Sequence, residues 1–233
     1  MVKYVFFDLD ETLIDIKYAQ NEAIKSLYKK FGFDRKIGLV EFVKKWDELT
    51  DYHYKFYTVK QISYEEQRRR RVVDLFASFD VKLERDAMDV YFIYLTEFEN
   101  SWIVYDGSVE TLELLKDKGI VLGLISNGDY EQQVQKMKKV GVFEMFDYVN
   151  TSSQFEYSKP DERLFEKIFD MHGIKYDELV YVGNSYSKDI VPCRNLGIKT
   201  IFVNRKNIKI EDKDLVSVEN LKEIIPILES WNK

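Results

Sequence analysis

The sequence is poor in cysteine: Cys193 stands alone among 233 residues. A single thiol cannot form an internal disulfide, so the chain reads as a protein of the reducing cytoplasm. Histidine is nearly as scarce. His53 and His172 lie far apart with no partner cysteines, which argues against a zinc centre and leaves each as a surface or hydrogen-bonded side chain. No stretch approaches the roughly eighteen apolar residues of a membrane helix. The opening MVKYVFF runs straight into acidic residues without the apolar core of a signal peptide. Excess positive charge is missing too: the net charge is -6 at pH 7. That excludes nonspecific nucleic-acid binding, which needs a basic surface, and makes a small molecule or a protein the expected partner.

What is present is core-forming material. Hydrophobic residues make up 45% of the chain and aromatic residues 15%, which excludes disorder. From Asp106 onward, short apolar runs alternate with helical patterns, as in a parallel sheet built from βαβ units. The runs are IVLGLIS (120–126), FDYVN (146–150), LVYVG (179–183) and TIFV (200–203), and YVFF near the start supplies another. The helical segments between them end in glycine, where a helix C-cap is expected. Residues 17–100 differ, because apolar residues recur there at helical spacing and predict four helices. The expected architecture is α/β: a Rossmann-like parallel sheet with helices on both faces (1–16 and 101–233) and an inserted all-helical domain (17–100). Arg68 to Arg71 read as a solvated helix surface, with Glu65 and Glu66 placed for ordinary i,i+4 pairs. The aromatics Tyr52, Tyr54, Phe56 and Tyr57 read mainly as helix-bundle core, and Cys193 as a small buried residue.

Four short motifs carry chemistry. In DLDET, Asp8 and Asp10 are spaced i, i+2; on a strand they would share a face and repel unless a cation sat between them. LISNG ends a predicted strand with Ser126 and Asn127, where a hydroxyl and following amides suit phosphate oxygens. SKPDERLF sets Lys159 before a helix start, a cation able to neutralise a transferred group. YVGNSYSKD brackets a loop with Asn184 and Asp189, oxygen ligands of the kind magnesium prefers. Each alone is also an ordinary turn or cap. All four fall at the carboxyl ends of predicted strands.

Taken together, the chain resembles the haloacid dehalogenase superfamily, whose pattern of DxDxT, a strand-end Ser or Thr, Lys and an acidic loop matches Asp8, Asp10 and Thr12; Ser126; Lys159; and Gly183 to Asp189. The resemblance spans essentially the whole chain, with the helical insert at the position of the family's C1 cap. It implies a magnesium-dependent phosphatase acting on a small phosphorylated metabolite. Asp8 would be the nucleophile and Asp10 the general acid and base. Lys159 would neutralise charge, Thr12, Ser126, Asn127 and Lys159 would bind substrate, and Asp8, Asp10, Asn184 and Asp189 would hold Mg2+. One departure is Asn184, where many relatives carry Asp; it leaves open whether Asn184 or Asp189 meets the ion. The family also contains phosphomutases, 2-haloacid dehalogenases and catalytically silent binding members. The acid at position 10 favours a leaving group that must be protonated, which weighs against attack on carbon.

Overall fold

The apolar run Tyr4–Phe7 forms strand β1 of a parallel, six-stranded sheet in the computed structural model, which describes residues 1–232. The other strands are β2 (Val121–Ser126), β3 (Tyr148–Thr151), β4 (Leu179–Gly183), β5 (Lys199–Val203) and β6 (Ser217–Val218), in the order β3-β2-β1-β4-β5-β6. This is the Rossmann-type order. The chain first builds outward through β2 and β3, then returns to the other side of β1, leaving a crevice at the carboxyl ends where the order reverses. Helices α5 (Ser108–Asp117), α6 (Tyr130–Lys139), α7 (Glu162–Met171), α8 (Val191–Asn195) and α9 (Ile224–Trp231) supply the flanking layers.

Alternation along the strands sorts the core into two faces. Val5, Phe7, Leu122, Leu124, Val180 and Val182 pack into one cluster with Leu112, Leu115 and Leu228 of the helices. Phe6, Ile125, Leu179 and Tyr181 point the other way and meet Leu164, Phe165, Ile168 and Phe169 of α7. Gly123 is the cross-strand partner of Phe6, and a Cβ there would lie 2.2 Å from the Phe6 ring. Gly123→Ala is therefore expected to cost about 1–3 kcal/mol by overpacking. The check is urea unfolding, with the midpoint lowered and the slope unchanged.

The chain divides into two compact units: Met1–Ile16 with the chain from Ile103 onward, and Lys17–Trp102. The second is all-helical, with α1 (Ile16–Lys30) running into it, then α2 (Leu39–Thr58), α3 (Tyr64–Ser78) and α4 (Ala87–Asn100). Its starts are locally encoded: Ser63 accepts from the Glu66 amide and Asp86 from the Met88 amide. Phe33 makes ring contacts with Phe42, Phe76 and Phe79 at its centre.

Three expectations need correction. Tyr52 and Tyr54 are 55% and 47% exposed, and the inward position on that turn is taken by His53, whose Nε2 lies 2.8 Å from Asp74. The arginine run is solvated only in part. Arg69 and Arg70 do pair with Glu65 and Glu66, but Arg71 is buried against Trp46 and Tyr91 and donates to Gln67 at 2.6 Å. Four consecutive residues sweep most of a helix circumference, so one of them must face inward. The helical pattern after the last motif is also broken: Tyr186–Ile190 form a π-helical turn before α8.

Candidate active site

Strand β1 stops at Phe7, so Asp8 and Asp10 do not share a strand face. The chain turns immediately: the Thr12, Leu13 and Ile14 amides all donate to Leu9 O, and Glu11 adopts a left-handed conformation (φ 64°). Arg205 fastens this turn, donating to the carbonyls of Glu11 (2.8 Å) and Thr12 (2.9 Å) while its guanidinium stacks on Tyr105. The like charges posed by DLDET are met by two different lysines, Lys159 at Asp8 and Lys136 at Asp10.

Asp8 is buried. Its Oδ1 lies 2.6 Å from Lys159 Nζ and its Oδ2 accepts from Thr12 Oγ1 at 2.8 Å. Lys159 Nζ also meets Asp189 Oδ1 (2.7 Å), Ile125 O (3.0 Å) and Tyr181 Oη (3.2 Å). Burial pushes the Asp8 carboxyl up to about 6 against the pull of Lys159, with Asp189 adding to the rise. Burial opposes charge on Lys159 as well, but the carboxylates of Asp8 and Asp189 outweigh it and raise the ammonium above its ordinary value. The Lys159 main chain is clamped by Asn127, whose amide accepts from Lys159 N and donates to Lys159 O, both at 2.9 Å.

The loop after β4 contributes the opposite wall. A Cβ on Gly183 would lie 2.5 Å from Asp189 Cβ, so glycine is what lets the Asp189 carboxylate fold back against the strand end. Asp189 is buried and accepts from the Ser185 amide at 2.9 Å. The Asn184 carboxamide turns one end toward three oxygens: Asp8 Oδ2 (3.2 Å), Asp10 O (3.3 Å) and Thr12 Oγ1 (3.2 Å). With its NH2 there it donates to them; with its carbonyl oxygen there it completes a set of hard oxygen donors. Neighbouring ligands on a magnesium octahedron stand about 3.0 Å apart, given metal–oxygen distances of about 2.1 Å, so the spacing of this set fits such an ion. No cluster of three or more acidic, histidine or cysteine side chains suited to a metal occurs among the described residues, so an ion here would draw on amide and main-chain oxygens beside the Asp8 carboxylate.

A cavity of about 350 Å³ opens over these groups, lined by Asp8, Asp10, Ser126, Asn127, Lys159, Asn184 and Asp189 together with Ser185 and Lys188. Seven of the eight residues singled out from the sequence therefore meet at one place. The eighth, Thr12, was expected at the substrate, but it is wholly buried behind Asp8 and orients that carboxylate instead. Sequence reasoning missed Ser185 and Lys188, which lie inside the motif it quoted. It also missed Gln133, Lys136 and Arg205, which carry no local signal because their partners are distant in sequence.

A family model described as haloacid dehalogenase-like hydrolase matches residues 5–203. A glyceraldehyde 3-phosphate phosphatase of Methanocaldococcus jannaschii is 27% identical, with the whole of both chains covered. The pyrimidine 5'-nucleotidase PynA of Streptococcus pneumoniae is also 27% identical, over 87% of this chain and 84% of its own. Among solved structures, the magnesium-bound HAD hydrolase YfnB of Bacillus subtilis superposes with a TM-score of 0.75 at 19% identity, covering 97% of this chain and 98% of its own. The sheet order, the inserted helical unit and the match over residues 5–203 make this chain a member of the haloacid dehalogenase-like hydrolase family.

Proposed function

We propose that the protein is a magnesium-dependent phosphomonoester hydrolase that cleaves a small phosphorylated metabolite through an aspartyl-phosphate on Asp8. The observation that carries this reading is the buried Asp8 carboxylate at the floor of the cavity, flanked by Lys159 and with Ser126 on the same wall. An Asp8 oxygen attacks phosphorus and the bond to the leaving oxygen breaks, that oxygen taking its proton from Asp10. Asp10, now ionised, removes a proton from water. The water oxygen bonds to phosphorus as the Asp8–phosphorus bond breaks, which returns the electron pair to Asp8 and the proton to Asp10. Lys159 offsets charge on Asp8 and on the transferred group, and Ser126 with the main-chain amides beyond it holds phosphate oxygens. Asp8, the main-chain carbonyl of Asp10 and Asn184 would hold the ion, with Asp189 acting through Lys159 and Ser185. Bound magnesium supplies positive charge at the phosphate and favours ionised Asp8.

The full-length likeness to a glyceraldehyde 3-phosphate phosphatase makes triose phosphates the first substrates to test, ahead of pyrimidine nucleotides. The test is inorganic phosphate release from a panel of small phosphomonoesters with and without magnesium. Magnesium-dependent release from a triose phosphate, exceeding that from pyrimidine nucleotides, is the expected result. No release from any compound by folded protein would sink the reading. A phosphomutase would use the same groups, and product analysis separates it because only the hydrolase frees phosphate.

A further inference from the structure

Asp10 has to give up a proton and take one back at a fixed place, yet its side chain is 36% exposed at the cavity and sits on a turn. Its two oxygens are held from one face of α6. Lys136 Nζ lies 2.6 Å from Oδ1, and Gln133, one turn earlier, donates from Nε2 to Oδ2 at 3.2 Å. The same Nε2 donates to Ser126 Oγ at 2.8 Å, so a single amide ties Asp10 to the strand end carrying Ser126. Both helix residues are themselves buried, Lys136 to 4% exposure and Gln133 to 2%. A lysine is almost never buried unless paired, so this pair is a built feature. Gly128 makes room for it: a Cβ there would meet Gln133 Nε2 at 2.9 Å, and its φ of +156° is one that side-chain-bearing residues rarely adopt.

We infer that Lys136 and Gln133 are positioning residues for Asp10, holding its carboxyl in the one orientation from which it reaches the leaving oxygen; this rests on the hydrolase reading above. With Arg205 gripping the carbonyls of residues 11 and 12, the acid is fixed from its backbone and from its side chain at once. Misplacing such a group by about 1 Å costs on the order of 100-fold in rate.

The experiment compares kcat/KM for two leaving groups, because this quantity reports the step in which the leaving oxygen departs. Glyceraldehyde 3-phosphate loses an alkoxide that needs a proton, whereas p-nitrophenyl phosphate loses a stabilised phenolate that does not. Lys136→Met keeps the stem and removes the ammonium. It is expected to lower the ratio of kcat/KM for glyceraldehyde 3-phosphate to that for p-nitrophenyl phosphate by tenfold or more, a part of the roughly 10²–10⁴-fold that one general acid contributes. Lys136→Arg should restore part of the ratio, and Gln133→Met should shift it in the same direction should Lys136→Met not fold. Equal losses on both compounds would mean that the pair serves only folding or phosphate binding, and no loss on either would mean that it does not govern Asp10; either overturns the inference while the hydrolase reading stands. Wild-type protein inert toward both compounds would overturn both.

Discussion

Asp8→Asn is expected to remove phosphate release almost completely, by on the order of 10⁴–10⁶ in kcat, the range seen when an enzyme loses its nucleophile. The substitution is nearly isosteric, but it takes one carboxylate from buried Lys159, which keeps Asp189 as its remaining countercharge, so folding is checked beside activity. Thr12 Oγ1 keeps an acceptor if the amide oxygen takes the Oδ2 position, which turns the amide NH2 toward Lys159 Nζ. What disappears is the electron pair that attacks phosphorus, and neither Asp10 nor Asp189 can replace it. Asp10 is held toward α6 by Lys136, and Asp189 is held by Lys159 and the Ser185 amide. The measurement is phosphate release by a variant whose melting curve matches the wild type. More than about one per cent of wild-type kcat would refute covalent catalysis through Asp8, since a loss of under about 100-fold is smaller than even a general acid or base contributes.

Lys159→Met should damage folding and catalysis together. The ammonium lies between Asp8 and Asp189, at 2.6 and 2.7 Å, and is itself buried. Methionine replaces the stem but leaves both carboxylates without their countercharge, and breaking a buried pair in this way costs about 3–5 kcal/mol. For a domain of this size that corresponds to a fall in Tm of about 6–20 °C. The loss carries a pH signature. Asp8 already sits at about 6 in the folded protein, above its ordinary 3.8, and Lys159 is what restrains it from rising further. A carboxyl raised on folding binds its proton more tightly when folded, so the stability it allows is present at low pH and lost as pH rises through the folded value. The deficit of Lys159→Met against wild type, measured by thermal melting in chelator, should therefore be smaller at pH 5 than at pH 8. A deficit equal at both pH values, or larger at pH 5, would show that Lys159 does not neutralise Asp8.

The helical unit shows where reading by residue type reached its limit. The pairs of Glu65 and Glu66 with the arginines are local, set by residues four apart, and they appear as the spacing predicts; the caps at Ser63 and Asp86 are local as well. Which arginine of a run of four turns inward depends on Trp46 and Tyr91 from neighbouring helices. The aromatics at 52 and 54 were misassigned for the same reason, since period alone does not say which stripe of a helix meets its neighbours. The strand β6 was too short to leave any periodic trace.

The sequence by itself determined the parallel sheet, the helical insert and the identity of the chemical groups. Apolar runs bury as strands, glycines end helices, and carboxylates, a hydroxyl and a lysine at strand ends are exposed to whatever the crevice holds. Tertiary structure alone decided the pairing of charges. Asp8 is 151 residues from Lys159, and Asp10 is 126 from Lys136, so no local pattern could assign a lysine to each. Those assignments follow from the crossovers that place β2 and β4 on either side of β1, because a buried charge is stable only where the fold delivers its opposite.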